Sequence, residues 1–490
     1  MSIESPQRSR VGSQRNRLIA YFVLAVAIRG ILFFTLPVFT TYDSRDYILA
    51  AEDIYQDLNF LSTSLRDTRL PGYPIVLALI KPVTLMQADR IMVFQALLGI
   101  ASMSLGLWIG RILGSPLASE VMVVFLGFNP YFLFNEHAIM TEGWYLFVQI
   151  AFVALTLLAV RNGFTVMLGI GIGVTAAANV LTRSNVLPFC LTVSTCAVVL
   201  RVISDRRNKA LSRPVQPYLG PISAIIIMSA VLIMPWLWRN YQMYGVWTFV
   251  NYNNRNLLVW KAMHDNIDYS LPKISQINSK LGTERVDFVW LAKTRQVYEA
   301  NEIEAIAMDL VMEQITSLPL THIYDIGTAL LGFAGIYDVY GDDRTAVRWW
   351  FNLIRNQDQI NELNAFHYNA IAPRSAYSYT EREVGSLLND WWSRIAIGYM
   401  MVVRPVLLLF FFVMLSSYLI RAKHIITAKP KIYWQTVVIL STGYLVMIAL
   451  HSVTLTDGDR YALIFDWILV LLIVLMGETI KQRAKGWRQA

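Results

Sequence analysis

The sequence predicts an all-α polytopic membrane protein. Three observations carry this: high apolar content, apolar runs of spanning length, and basic residues gathered beside alternate ends of those runs. Of 490 residues, 55% are hydrophobic and 16% charged, where soluble domains run nearer a quarter charged. Mean hydropathy is +0.44. The net charge of +8 would suit a nucleic-acid partner. Most Lys and Arg, however, sit in short clusters beside apolar runs, where orientation and anionic headgroups explain them, and nucleic acid is set aside.

Taken in order, apolar runs occupy 18–39, 90–113, 117–134, 143–160, 164–181, 186–203, 218–238, 394–420, 432–451 and 461–480. The expectation is a bundle of about ten spans, within a range of roughly nine to thirteen. Two further stretches, 73–86 and 323–340, are short or diluted with charge and are read as re-entrant or interfacial. With those two excluded, the basic groups at Arg8–Arg17, Arg206–Arg213, Arg421–Lys431 and Lys481–Arg488 all fall on one side, the expected cytoplasm. The expected location is the plasma (inner) membrane, with both termini cytoplasmic. The first run has a basic leader but no small-residue cleavage pattern, so it reads as an uncleaved anchor. It carries Arg29 roughly 16 Å along from Leu18, where an arginine faces protein rather than lipid.

The chain divides into a basic tail (1–17), an N-terminal transmembrane module (18–238) with a first outer loop at 40–89, a long outer-face segment (239–393) and C-terminal helices with a basic tail (394–490). Cys190 and Cys196 fall six positions apart within one span, on different helix faces, which argues against a disulfide or metal pair. The glycine run at Gly169, Gly171 and Gly173 lies inside a span with no strand before it, so it reads as close helix packing rather than a dinucleotide loop.

On this topology the polar residues of interest collect outside. After the first span, Tyr47, Ala50, Ala51, Ile54, Tyr55 and Leu58 recur at helical spacing, with Glu52, Asp53, Gln56 and Asp57 opposite. The pattern predicts an amphipathic interfacial helix. Asp43 is then either an N-cap, with Asp46 at the third helical position, or a functional carboxylate. Pro71, Gly72 and Pro74 bend the chain back toward the membrane. Glu136, His137 and Glu142 lie between two spans. Arg69, Arg183, Arg239, Arg255 and Arg460 all fall near outer helix ends, where guanidinium forks suit phosphate as well as interfacial anchoring. In the long outer segment, Trp349, Trp350, Trp391 and Trp392, with a helical stretch near 283–315, predict a cover at the lipid interface.

The order of these features resembles the GT-C glycosyltransferases, specifically the family of protein O-mannosyltransferases and aminoarabinose lipid A transferases that use polyprenyl-phosphate sugars. The resemblance runs over most of the chain. It rests on Arg29 in the first helix, Asp43 and Tyr47 as Asp-x-x-x-Tyr just outside it, Arg69 to Pro74 as Arg-x-Pro-Gly-Tyr-Pro, Thr141–Glu142 opening the fourth span, Pro235 to Tyr241 as Pro-Trp-x-x-Arg-Asn-Tyr, and Arg460–Tyr461.

The resemblance implies a GT-C-like bundle and a polyprenyl-phosphate sugar donor, with Asp43 as the catalytic or acceptor-orienting carboxylate. Some members carry an acidic residue before the Pro pair and use it to hold a divalent metal. Here that neighbourhood is Arg69, Leu70 and Pro71, which leaves a metal requirement open and offers a guanidinium in its place; no other cofactor is implied.

A lipid phosphate leaves without a general acid if positive charge meets it. One carboxylate base then suffices, and in-line attack inverts the anomeric carbon. Arg239 and Arg460 lead as donor-phosphate ligands, with Arg69, Arg183 and Arg255 behind them. Tyr47, Glu136, His137 and Glu142 are candidates for orienting substrate, and no metal cluster is read. The acceptor the resemblance implies is a glycan, lipid or protein hydroxyl on the outer side. The alternatives are a lipid-sugar flippase or transporter, which would place binding groups near mid-bilayer, and an O-antigen ligase or polymerase, which would favour a diphosphate donor.

Overall fold

The computed structural model describes residues 6–35, 42–57, 69–207, 216–250, 258, 261, 267–286, 297–298, 300–333, 399–420, 431–454 and 464–487. Among them the chain is mostly helical, without a strand. The helices are α1 (Pro6–Thr35), α2 (Tyr42–Asp57), α3 (Gly72–Thr84), α4 (Ala88–Leu113), α5 (Pro116–Phe128), α6 (Pro130–Asn135), α7 (Glu142–Asn162) and α8 (Val166–Thr182). They continue with α9 (Leu187–Arg207), α10 (Gln216–Tyr244), α11 (Pro272–Leu281), α12 (Ala300–Ser317), α13 (Pro319–Phe333), α14 (Arg404–Ile420), α15 (Lys431–Thr454) and α16 (Asp466–Trp487).

Helices occupy all ten expected places. Six of them, within α1, α4, α7, α9, α10 and α15, are long and apolar enough to cross a membrane. The others are shorter or more charged. The expected span at 117–134 is broken: Asn129 leaves the helix, accepts from the Tyr131 and Phe132 amides, and Pro130 opens α6. The apolar run hid this Asn-Pro signal. At 13 residues, α3 is only about 20 Å long and too short to span.

Side-chain contacts sort the helix ends. At one end Gln14 donates to the Pro116 carbonyl (3.2 Å), Arg17 to Glu120 (2.7 Å), Arg161 to the Ile112 carbonyl (2.6 Å) and Arg201 to the Val160 carbonyl (2.8 Å). Tyr218 bonds Asp205 and Ser115 donates to Glu478 (2.7 Å) at this same end. Among the described residues, connections expected to share a compartment therefore meet; 208–215 and 421–430 lie outside them. Helix directions agree: α8 runs parallel to α10, α14 parallel to α16, and α9 antiparallel to α15, where Gly443 meets Phe189 and Val193.

The α8–α10 contact explains the glycine run. A Cβ at Gly169 would stand 2.4 Å from the Pro221 carbonyl oxygen, and one at Gly173 2.7 Å from that of Ile225. Close packing of backbones is what these glycines serve, as their place in a span predicts. The two cysteines are unpaired, as their spacing predicts.

The amphipathic pattern of α2 is real, but Tyr47, Ile48, Ala50, Ala51 and Ile54 are buried within the protein, and α2 packs along α3. Its apolar face is therefore spent on protein rather than left for lipid. Lys81 of α3 pairs with Glu52 and lies over the Tyr55 ring. Leu58 lies outside the described residues.

The long segment after α10 carries a small core of its own, with Leu258, Ile274, Leu281 and Leu310 packed together. Of the helix expected near 283–315, residues 283–286 are irregular, 287–296 lie outside the described residues, and Ala300–Ser317 is helical. Within 323–340, α13 ends at Phe333 and packs against α15. A buried Lys261–Asp325 pair (2.5 Å) pins this region. Trp349, Trp350, Trp391 and Trp392 lie outside the described residues.

Candidate functional site

At the opposite end from the basic contacts, five separated segments converge. Arg69 Nε lies 3.5 Å from Asp46 Oδ2, and its guanidinium lies 5.8 Å from the Tyr47 ring centroid. Tyr47 meets Tyr73 edge-on at 5.4 Å. The Tyr73 hydroxyl donates to Gln95 Oε1 (2.9 Å), and Gln95 Nε2 donates to the carbonyls of Glu136 (3.0 Å) and Ala138 (2.8 Å). A chain of aromatic and hydrogen-bond contacts thus joins α2, α3 and α4 to the turn after α6.

That turn carries the first buried ion pair. Glu136 accepts from Arg29 Nη2 at 2.7 Å, while Arg29 Nη1 donates to the carbonyls of Ala25 (3.2 Å) and Gly127 (3.1 Å). The intramembrane arginine has found protein, as its depth demands. Burial pushes the Glu136 carboxyl above the usual carboxylate range, and the charge and hydrogen bond of Arg29 pull it back. Gly99 of α4 makes the room: a Cβ there would sit 1.9 Å from Glu136 Oε1.

The second pair opens α7. Glu142 accepts from Arg183 Nη2 at 2.7 Å, and Arg183 also donates to Thr141 Oγ1 through Nε (3.3 Å) and Nη2 (3.0 Å), with its guanidinium 5.2 Å from the Tyr145 ring centroid. Gly72 ties this corner to α3. A Cβ at Gly72 would stand 2.7 Å from the Leu181 carbonyl and from Thr182 Oγ1, so the Pro-Gly bend serves a close backbone approach as well as a turn. His137 is buried in the same turn as Glu136.

Arg239 emerges at this same end. The contacts of Gly169 with Pro221 and of Gly173 with Ile225 keep a constant register; carried onward, it levels Arg183 with Pro235, one helical turn short of Arg239. Arg239 is buried, donates to Asn240 Oδ1 (2.8 Å) and lies over the rings of Trp236 (4.7 Å) and Tyr244 (5.9 Å). Asn240 in turn donates to the carbonyls of Thr248 (2.7 Å) and Phe249 (3.0 Å). The Pro-Trp-x-x-Arg-Asn-Tyr stretch is thus a folded unit.

Asp43 stands in the first turn of α2, which begins one residue before it, so the N-cap reading does not hold by position. It precedes Asp46 and Tyr47 by three and four residues, the spacing of one helix face. Its side chain lies outside the described set, as do Arg255 and Arg460 entirely. Among the described residues no cluster of His, Cys, Asp and Glu is arranged to hold a metal.

A narrow cleft lies between the pairs and is lined by Gly99, Asn135, Glu136, Glu142, Leu146 and Ile464 among others. One group behind it escaped sequence reasoning. Arg404 Nε donates to Asp466 Oδ1 (3.0 Å) and the Tyr399 hydroxyl to Asp466 Oδ2 (2.9 Å), all fully or almost fully buried. The available signal was an opposite charge inside each of two apolar runs, since such charges pair.

No protein-family model, curated protein or solved structure matches this chain. The functional reading therefore stands on the residues.

Proposed function

We propose that the protein is an integral-membrane glycosyltransferase that moves a sugar from a polyprenyl-phosphate donor to an acceptor on the outer side, with inversion. What supports the reading is convergence: Asp46, Tyr47, Arg69, Glu136, Glu142 and Arg183, singled out from separate stretches of sequence, gather at one end of the bundle. Arg239 emerges at that end too.

In this reading Asp43 takes the acceptor hydroxyl's proton or orients it, and the anomeric carbon is attacked from the face opposite the phosphate. The leaving phosphate needs cationic donors rather than an acid. Arg239, Arg69, Arg183, Arg255 and Arg460 are the pool they are drawn from. Arg183 is engaged by Glu142, so a phosphate there competes with that carboxylate. Glu136 and Glu142, with Tyr47, shape and orient the substrate side.

The test is transfer in liposomes by purified protein with polyprenyl-monophosphate sugars, comparing wild type with Asp43→Asn. A general base contributes roughly 100-fold or more, so the variant is expected to lose transfer by at least that factor. Full-rate transfer by Asp43→Asn removes the role given to Asp43. Movement of lipid-linked sugar across the bilayer without any transfer favours the flippase.

A further inference from the structure

Glu136 and Glu142 line a cleft that also touches the approach to the last helix. Ile464, two residues ahead of α16, lines the wall on that side. Asp466 begins α16 and is gripped on both oxygens, Oδ1 by Arg404 and Oδ2 by Tyr399. Tyr399 and Arg404 are five residues apart. In an α-helix they would stand about 140° apart around the axis and could not meet one carboxylate. Residues Tyr399–Val403 instead form a π-turn, whose i→i+5 closure brings the fifth neighbour back over the first. A π-turn gives up regular helix geometry and recurs where function needs it. Here the return is a two-point grip on a single buried carboxylate.

The grip reaches the other wall as well. The Tyr399 hydroxyl also faces Asn129, the residue that caps α6 through the Tyr131 and Phe132 amides. Tyr131, Phe132 and Asn135 of α6 line the same cleft. Tyr444 of α15 faces Arg404 from behind. Both walls therefore hang from one buried cluster.

We propose that Asp466, held by Tyr399 and Arg404 across the π-turn, is a positioning residue that sets the opening of the cleft between α6 and the start of α16. The claim goes beyond the transferase reading, because it concerns how far the cleft opens whatever enters it, and its test does not need transfer.

The experiment uses full-length protein in lipid nanodiscs with Cys190 and Cys196 replaced by alanine and a single reporter thiol, Ile464→Cys, labelled with a water-soluble maleimide. A second reporter, Gly477→Cys, sits further along α16 and away from the grip. Tyr399→Phe removes one hydroxyl and keeps the ring, so folding is expected to survive; Asp466→Ala removes both contacts. The expected result is a labelling rate at position 464 at least tenfold faster in each variant, with the rate at 477 unchanged. Equal acceleration at both positions, which is loosening of the helix as a whole, overturns the proposal. So does an unchanged rate at 464 in Tyr399→Phe.

Discussion

Gly99→Ala probes the Arg29–Glu136 pair directly, because it adds one methyl group and removes nothing. The new Cβ would stand 1.9 Å from Glu136 Oε1 and 3.0 Å from Arg29 Nη2. A carbon ordinarily approaches an oxygen no closer than about 3.3 Å, so the carboxylate must retreat by more than about 1 Å and the 2.7 Å pairing is lost. Removing one partner of a buried pair costs about 3–5 kcal/mol. Here both partners stay and shift, so the cost belongs nearer the 1–3 kcal/mol of overpacking. Against it stands the helical preference for Ala over Gly, about 0.5–1 kcal/mol. The expected net loss is therefore about 1–2 kcal/mol, read as a fall of a few degrees in the thermal midpoint when Cys190, buried in the native bundle, becomes reactive to a thiol dye. In a background carrying Arg29→Met and Glu136→Ala the obstacle is gone, and the same substitution should stabilise by its helical preference alone. A Gly99→Ala variant as stable as wild type in the native background would mean that Glu136 does not pack on α4 there.

Two further substitutions test the packing by contrast, and both use the same thermal assay. Gly173→Leu pushes against the Ile225 carbonyl (2.7 Å) and Met228 Cβ (3.0 Å) of α10, whereas Gly171→Leu meets only the Leu155 side chain; the first should cost at least about 2 kcal/mol more than the second, and equal effects would argue against the α8–α10 contact. Lys261→Met or Asp325→Leu alone should each cost about 3–5 kcal/mol, while the two together return close to wild-type stability; additive losses would mean that the two side chains are not partners.

The helices were legible because an apolar run of spanning length has few other uses. The sorting of their ends was legible because basic residues cluster beside those runs: Arg17, Arg161 and Arg201 meet carbonyls or carboxylates of neighbouring connections at one end. The partners of the intramembrane charges were not legible. Arg29 finds Glu136 107 residues away, and Arg404 finds Asp466 62 residues away. Burial of a charge demands a partner without saying which. Gly99 was equally silent, since a glycine in an apolar run signals close approach but not what approaches. The break at Asn129 was readable from its Asn-Pro pair and was masked by the apolar residues around it.

Under the proposed transferase reading, these pairings bear on which arginine a donor phosphate would use. An anion arriving at Arg183 competes with Glu142, which is almost fully buried. Leaving that carboxylate unpaired costs several kcal/mol unless it takes up a proton. Arg69 is different: its side chain keeps 26% of its exposure, and Asp46 stands at 3.5 Å, so giving up that one ion pair costs little, about 1 kcal/mol or less. A donor phosphate should therefore lean on Arg69 for affinity, whereas Arg183 mainly holds Glu142 and the start of α7 in place. Arg69→Ala is expected to raise the KM for the lipid-phosphate donor about tenfold or more with little change in thermal midpoint, charge-assisted hydrogen bonds being worth about 1.5–3 kcal/mol. Arg183→Ala should instead lower the midpoint by several degrees, because it strands Glu142. If Arg69→Ala destabilises the fold as much as Arg183→Ala while donor affinity is untouched, the division of labour drawn from burial is wrong, and the Asp46–Arg69 pair is a structural strut between α2 and the approach to α3.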